Sequence, residues 1–383
     1  MNRLLEPEKR DLVERLRQFL KDNCPPETVR SYEREEIPPL DIRDKMKELG
    51  VFGFTIPEAY GGSGVRVTSA ALVVEELSRV WPALAWVYIG TVFYGGSNIA
   101  NLGTNAQKKE LLPRLARGDL MMAYALTEPD AGSDTTAAQL TALPEGDEFV
   151  LTGSKTFISL ADRADWLITL TRTDPEAPQR KGLTIFLIPK GAAGLRFNKI
   201  PKLGYRSSSL CEVFFDGVRV PAKSILGGPD MLNRGMSQLL ETLDVEHLEI
   251  AACGVGVAQG ALDLALAYAR AHQREGIAMM KNQSVAHKLA EMAAQVHAAR
   301  LMLYDGCRLL ENGHQASLEA TMAKYFAAEA AKLCATEAMS ICGEKGHEAD
   351  PDVERMFRDS LVLSIGGGTS QILKNMIAAH LRH

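Results

Sequence analysis

An α+β chain in three consecutive parts, helical, then β, then helical again, is what these 383 residues predict. Three observations carry that expectation. Over the first third, apolar residues recur at helical spacing with charges between them. From about Asp119 to Leu226 the pattern changes to β-rich runs divided by turn residues. From Met236 the helical period returns and holds to the end. The expected domains are 1–118, helical; 119–228, antiparallel β; and 229–383, a four-helix bundle.

Leu12, Val13, Leu16, Phe19 and Leu20 define the first helix, and Asp41 to Leu49 a short one stopped by Gly50. Val51 to Gly64, rich in Gly and containing Pro57, reads as a rigid loop. Helices near Ser69–Val80 and Gln107–Arg117 follow, with Tyr88, Phe93 and Tyr94 between them as core or pocket lining. Tyr124-Ala125-Leu126-Thr127-Glu128-Pro129-Asp130-Ala131-Gly132-Ser133-Asp134 reads as a strand entering a turn with free N–H and hydroxyl groups, suited to a ligand rich in acceptors. Strands are expected at 149–158, 166–171, 183–189 and 211–220. Long helices are expected from Met236 to about Arg274, over 285–310 and over 317–342, with a last one after Gly366-Gly367-Gly368-Thr369.

Composition narrows the function. A net charge of −5 without a basic block argues against nucleic acid. The six cysteines are scattered, with no CxxC pair or zinc spacing, and read as core residues in a reducing compartment. Histidines form no metal motif, so no metal site is expected. The N-terminal residues lack a signal-peptide pattern, and no stretch reads as a membrane span, so a cytoplasmic protein without a membrane partner is expected.

The stretch from Tyr124 to Asp134 closely resembles the T-E-P-x-A-G-S-D signature of the acyl-CoA dehydrogenase family. The loop ending Ile56-Pro57-Glu58-Ala59-Tyr60-Gly61-Gly62 and the stretches Gly204–Ser208 and Phe215–Pro221 resemble further family signatures, so the resemblance spans essentially the whole chain. It implies an FAD-dependent oxidation of an acyl thioester to its 2,3-enoyl form. A base takes the α-proton while a hydride leaves the β-carbon for the flavin, and the thioester oxygen is polarised by hydrogen-bond donors. It implies flavin contacts from Tyr124, Leu126, Thr127 and Ser133, and from Phe157, Ile158 and Ser159, with Phe157 stacked on the ring. Arg274, Gln283, Thr369 and Gln371 would hold other parts of FAD, and Ser133, Asp244, His247, Gly367 and Gly368 would meet substrate. An electron-transfer flavoprotein as electron acceptor and a homotetramer are also implied. The thioester carrier is coenzyme A or an acyl carrier protein.

Several positions depart from the family. Its usual base, the Glu of an E-G-T before the last helix, is replaced by Gly367. Isovaleryl-CoA and long-chain acyl-CoA dehydrogenases carry the base instead in a D-x-E-R segment, which Asp244-Val245-Glu246-His247 matches. Glu246 is therefore the expected base, with Glu249 a weaker candidate and His247 in place of Arg. At the AMP and pyrophosphate end, His272, Glu275, Ser340 and Glu344 replace Arg, Phe, Gln and Gly, and Glu344 would repel phosphate unless turned towards Lys345 or Arg274. Two alternatives stay open: a same-fold enzyme that eliminates a β-substituent such as sulfinate, and a non-catalytic partner subunit with a degenerate FAD site.

Overall fold

The computed structural model describes residues 6–348 and 352–382. The N-terminal part holds α1 (Pro7–Asn23), α2 (Pro26–Glu35) and α3 (Leu40–Lys45). A two-residue pair, β1 (Thr55–Ile56) and β2 (Gly64–Val65), then precedes α4 (Val67–Val80), α5 (Pro82–Ile89), α6 (Asn98–Leu102) and α7 (Asn105–Ala116). Gly50 ends the turn after α3 at φ +68°, a left-handed position that costs glycine nothing. Thr104 and Gln107 form a reciprocal capping box at the start of α7.

Between α5 and α6, Gly90–Ser97 winds as a π-helix. Its wider turns are tolerated because Gly95 and Gly96 let the backbone press against Leu115 and Thr55, where a Cβ would approach to 2.4 and 2.5 Å. Such segments re-aim side chains, and functional sites use them often.

The middle part is one seven-stranded sheet of β3 (Met122–Ala125), β4 (Thr141–Glu145), β5 (Glu148–Ser159), β6 (Trp166–Arg172), β7 (Leu183–Pro189), β8 (Leu195–Lys199) and β9 (Leu210–Pro221). The path runs β3-β6-β4-β5-β9-β8, with β7 on β6. The expected antiparallel pattern holds except where β6 meets β3 and, through Thr141 and Arg172, β4, which run parallel to it. The β5–β9 ladder shifts register between Lys155 and Ile158.

The C-terminal part comprises α8 (Gly235–Ala271), the pair β10 (Gln273–Arg274) and β11 (Ile277–Ala278), α9 (Gln283–Glu311), α10 (Ser317–Cys342), α11 (Asp352–Val362) and α12 (Ser370–His380). One large core joins this bundle to α1, α4 and α5 through Leu16, Leu77, Trp81, Val255, Ala331 and their neighbours. All six cysteines are buried and free. By length and composition alone α8 is long and apolar enough to cross a membrane, which the sequence reading did not anticipate. Its most apolar stretch is 72% buried within the protein, so core packing accounts for that composition.

Candidate active site

The centre of the site is one face of α8. Residues three and four apart on a helix are neighbours, so Thr242, Val245, Glu246 and Glu249 share a stripe. They face Phe93, Tyr94, Ser97 and Asn98 on and just after the π-helical segment, with Tyr124 of β3 closing the cleft. Tyr94 and Tyr124 stack, ring centroids 5.2 Å apart and planes at 21°. Burial pushes both phenols far up, so they stay neutral hydroxyls.

Glu246 is half-buried, its carboxyl enclosed by this cleft. Desolvation raises its pKa from 4.5 to about 7, against a lowering by the Lys324 ammonium. Lys324 lies within α10, fully buried among Ala320, Ala323 and Ala327, and its Nζ donates to the carbonyl oxygen of Gly368. Burial brings its pKa down to about 8, with Glu246 the first opposing charge.

His247 is buried and turns towards α10. The Thr321 hydroxyl donates to the Ser317 carbonyl at 2.6 Å, so its oxygen is left to accept from His247 Nδ1 at 3.3 Å. Burial, then Lys324, lowers the imidazole to about 4. The sequence reading left this charge open; the neutral form is the one present near pH 7. Asp244 likewise faces α10, accepting from the Ser317 hydroxyl at 2.9 Å.

The Gly366–Gly368 loop is fixed from both sides. Thr369 caps α12, its Oγ1 accepting from the Ile372 N–H, and the Ser370 hydroxyl donates to Glu329 at 2.6 Å. Gly367 has φ +61°, and a Cβ there would lie 3.1 Å from Ile250 Cγ1. Backbone and neighbour together disfavour any side chain at the position where the family usually carries its base.

The two expected flavin segments are joined directly: the Thr156 N–H donates to the Thr127 carbonyl at 2.9 Å. Behind them, Glu128 accepts from the Gln139 and Leu140 N–H groups and pairs with the buried Lys155 ammonium at 2.7 Å. Glu128 and Lys155 therefore build the surface rather than face a ligand. Phe157 sits at the bulge in β5 with φ +57°, and its ring is 61% exposed. A bulky residue held left-handed with its aromatic face in the open is costly unless something flat covers it, which fits a flavin ring. Ser133 is exposed, and Leu126, Thr127 and Ser159 are half-buried beside it. The Ile158 side chain is buried in the sheet core, so a cofactor contact from this residue would come from its backbone, and Tyr124 also lines the Glu246 cleft.

Arg274 and Gln283 are exposed, on β10 and at the start of α9, and Gln371 is exposed on α12. His272 stacks on Tyr268 at 3.9 Å and its Nδ1 donates to that residue's carbonyl. Glu344 is exposed, and Lys345 pairs with Glu348 at 2.5 Å. Ser340 accepts from Lys288 at 2.7 Å.

Sequence reasoning missed Lys324, Asn98, Ser97 and Thr242. Lys324 had a signal: a lone lysine on an alanine-rich helical stripe, where a cation is out of place unless it serves the site.

Comparison with known proteins supports the same picture. The chain matches the family descriptions "Acyl-CoA dehydrogenase, N-terminal domain" over 6–119, "middle domain" over 123–218 and "C-terminal domain" over 233–382. It is 36% identical to a probable acyl-CoA dehydrogenase, YngJ, of Bacillus subtilis, over the full length of both. The structure of butyryl-CoA dehydrogenase from Megasphaera elsdenii superposes with a TM-score of 0.94 at 31% identity, covering 99% of each chain. A chain from the structure titled for the electron transferring flavoprotein of Acidaminococcus fermentans gives 0.94 at 33% identity, covering 98% of each.

Proposed function

The chain belongs to the acyl-CoA dehydrogenase family, flavin-dependent oxidoreductases of acyl-CoA, and on that premise we propose that it oxidises an acyl thioester to the 2,3-enoyl thioester with Glu246 as base. One observation carries the assignment: the enclosed Glu246 carboxyl, raised to about 7, lies one helical turn from Ile250, against which Gly367 packs with no side chain to offer. A carboxyl titrating near working pH is ionised often enough to accept a proton and basic enough to keep it. Lys324 holds the Gly366–Gly368 loop through the Gly368 carbonyl and faces Glu246, favouring its anion. The Gly367 N–H is the proposed donor to the thioester oxygen, which acidifies the α-carbon. Asp244 and neutral His247, tied to α10, fix the α8 face that presents the base.

FAD is the flavin proposed for the surface around Thr127, Ser133, Phe157 and Ser159, where it would supply the two-electron acceptor for the β-carbon. Arg274, Gln283 and Gln371 lie exposed and would serve FAD of a neighbouring copy in a homotetramer. The proposed electron acceptor is an electron-transfer flavoprotein, and the proposed setting is the cytoplasm. Coenzyme A and carrier-protein thioesters satisfy the chemistry equally.

The test is anaerobic mixing of the flavin-loaded protein with a panel of acyl-CoA thioesters. Bleaching of the flavin absorbance in the native protein, lost in Glu246→Gln with flavin still bound, is the expected result. Bleaching that survives the substitution would place the base elsewhere. Failure to hold FAD, followed by co-purification with a related chain, would favour a partner subunit.

A further inference from the structure

The cleft contains more acceptors than the dehydrogenation needs. Glu249, one helical turn beyond Glu246, is fully buried and lines the same pocket, and its carboxyl oxygens have the Tyr94 hydroxyl as their polar neighbour but no hydrogen bond of normal length. Asn98 Oδ1, across the cleft on α6, is also buried and unpartnered. Glu249 and Asn98 thus bring under-satisfied oxygens to one small cavity, at about 1–3 kcal/mol for each polar group left unpaired. The nearest ammonium is committed elsewhere: Lys324 is bonded to the Gly368 carbonyl and faces Glu246. A hydrocarbon tail would leave these atoms unsatisfied, and a carboxylate tail would meet two glutamates.

Resting on the acyl-thioester reading above, we propose that the terminal hydrogen-bond donor of a short acyl tail, an ammonium or a hydroxyl group, fills this cavity of about 10 Å³, which has room for one group the size of a water, and that Glu249 selects it. The donor position follows from the helix. Glu249 lies three residues beyond Glu246, about 4.5 Å along the axis at 1.5 Å per residue. If Glu246 addresses the α-carbon, the group that meets Glu249 sits three or four bonds further along the tail. Burial, and next the charge of Glu246, push the Glu249 carboxyl well up, and Tyr94 opposes this. An arriving ammonium would displace that proton, whereas a hydroxyl would share it.

The experiment is calorimetric binding of valeryl-, 5-hydroxyvaleryl-, 5-aminovaleryl- and glutaryl-CoA to the flavin-loaded protein, native and Glu249→Leu, with flavin bleaching recorded in parallel. The native protein should bind the amino or the hydroxy thioester at least tenfold more tightly than valeryl-CoA, and glutaryl-CoA most weakly. Glu249→Leu should reverse the order in favour of valeryl-CoA. Should the leucine variant not fold, Glu249→Gln, which keeps the shape, should lose at least tenfold of the amine preference. Equal binding of all four, or a preference that survives both substitutions, overturns the proposal and leaves the dehydrogenase reading intact. Ranked binding without bleaching of the flavin does the opposite. Binding of none removes the thioester premise and this inference with it.

Discussion

Replacing Glu246 with glutamine should raise stability above neutral pH while removing turnover. In the folded protein this carboxyl holds its proton up to about pH 7, whereas an ordinary glutamate releases it near 4.5. The folded state therefore binds the extra proton between those values. Its contribution is complete below pH 4.5 and is lost as pH rises through about 7. At 1.36 kcal/mol per pH unit the gap amounts to roughly 3 kcal/mol, a ceiling because the residue is half-buried and partly solvated. Glutamine mimics the protonated form at every pH. For a chain of this length, with an unfolding entropy of about 0.8 kcal/mol/K, 3 kcal/mol corresponds to about 4 °C. Melting of the native and Glu246→Gln proteins should coincide near pH 4.5 and separate by up to that amount at pH 8, with the variant higher. Its kcat should fall by about 100- to 10,000-fold, the usual worth of a general base. Native kcat/KM should rise with pH and level off above about 7. A variant whose melting advantage over the native protein is no larger at pH 8 than at pH 4.5, or a flat native pH profile, would refute the reasoning that joins burial to basicity.

Lys324→Met removes the cation that lowers the Glu246 pKa, so the rise of kcat/KM should move to higher pH in a pH series. His247→Arg buries a second cation beside Lys324 and should destabilise by several kcal/mol in denaturant melts; adding Lys324→Ala should recover part of that loss. Glu128→Gln leaves the Lys155 ammonium without its carboxylate and should cost about 3–5 kcal/mol, with flavin retention falling in parallel in absorbance titrations. Phe157→Gly should act in opposite directions on two readouts: melting unchanged or higher, because a left-handed φ is relieved, and flavin affinity lower by fluorescence titration.

Much of the fold was legible because its strands and long helices bury one face at a fixed period. The expected runs at 183–189 and 317–342 coincide with β7 and α10, and α8 begins one residue before its expected start. What escaped has no such period. β4 carries Pro144 and an exposed outer half, and β8 is a largely exposed edge strand. The π-helical turn at Gly90–Ser97 follows neither the 3.6 nor the 2.0 repeat. That turn decides the site, since it is what brings Tyr94 and Asn98 opposite Glu246 and Glu249. Sequence pattern could name the α8 carboxylates but not their surroundings, because desolvation arises from packing across 150 residues of intervening chain. Lys324 is the sharpest instance: a lysine on an alanine-rich stripe in the sequence, it is in the structure the cation that lowers the pKa of both Glu246 and His247.

The absence of a side chain at 367 and the presence of one at 246 form a single structural solution. A glutamate at 367 would have to hold φ +61°, at about 1–2 kcal/mol for a residue with a Cβ, and displace Ile250. Gly368 continues the left-handed run at φ +88°, which turns its carbonyl to the Lys324 ammonium. The same loop conformation that excludes a base thus places a cation within reach of the carboxyl on α8. Restoring glutamate by Gly367→Glu in a Glu246→Gln background should for this reason fail to recover native turnover, because the loop must open to admit it and so loosen Lys324. Recovery to within tenfold of the native kcat would mean that the loop is permissive and that the α8 base is a matter of history rather than of backbone geometry.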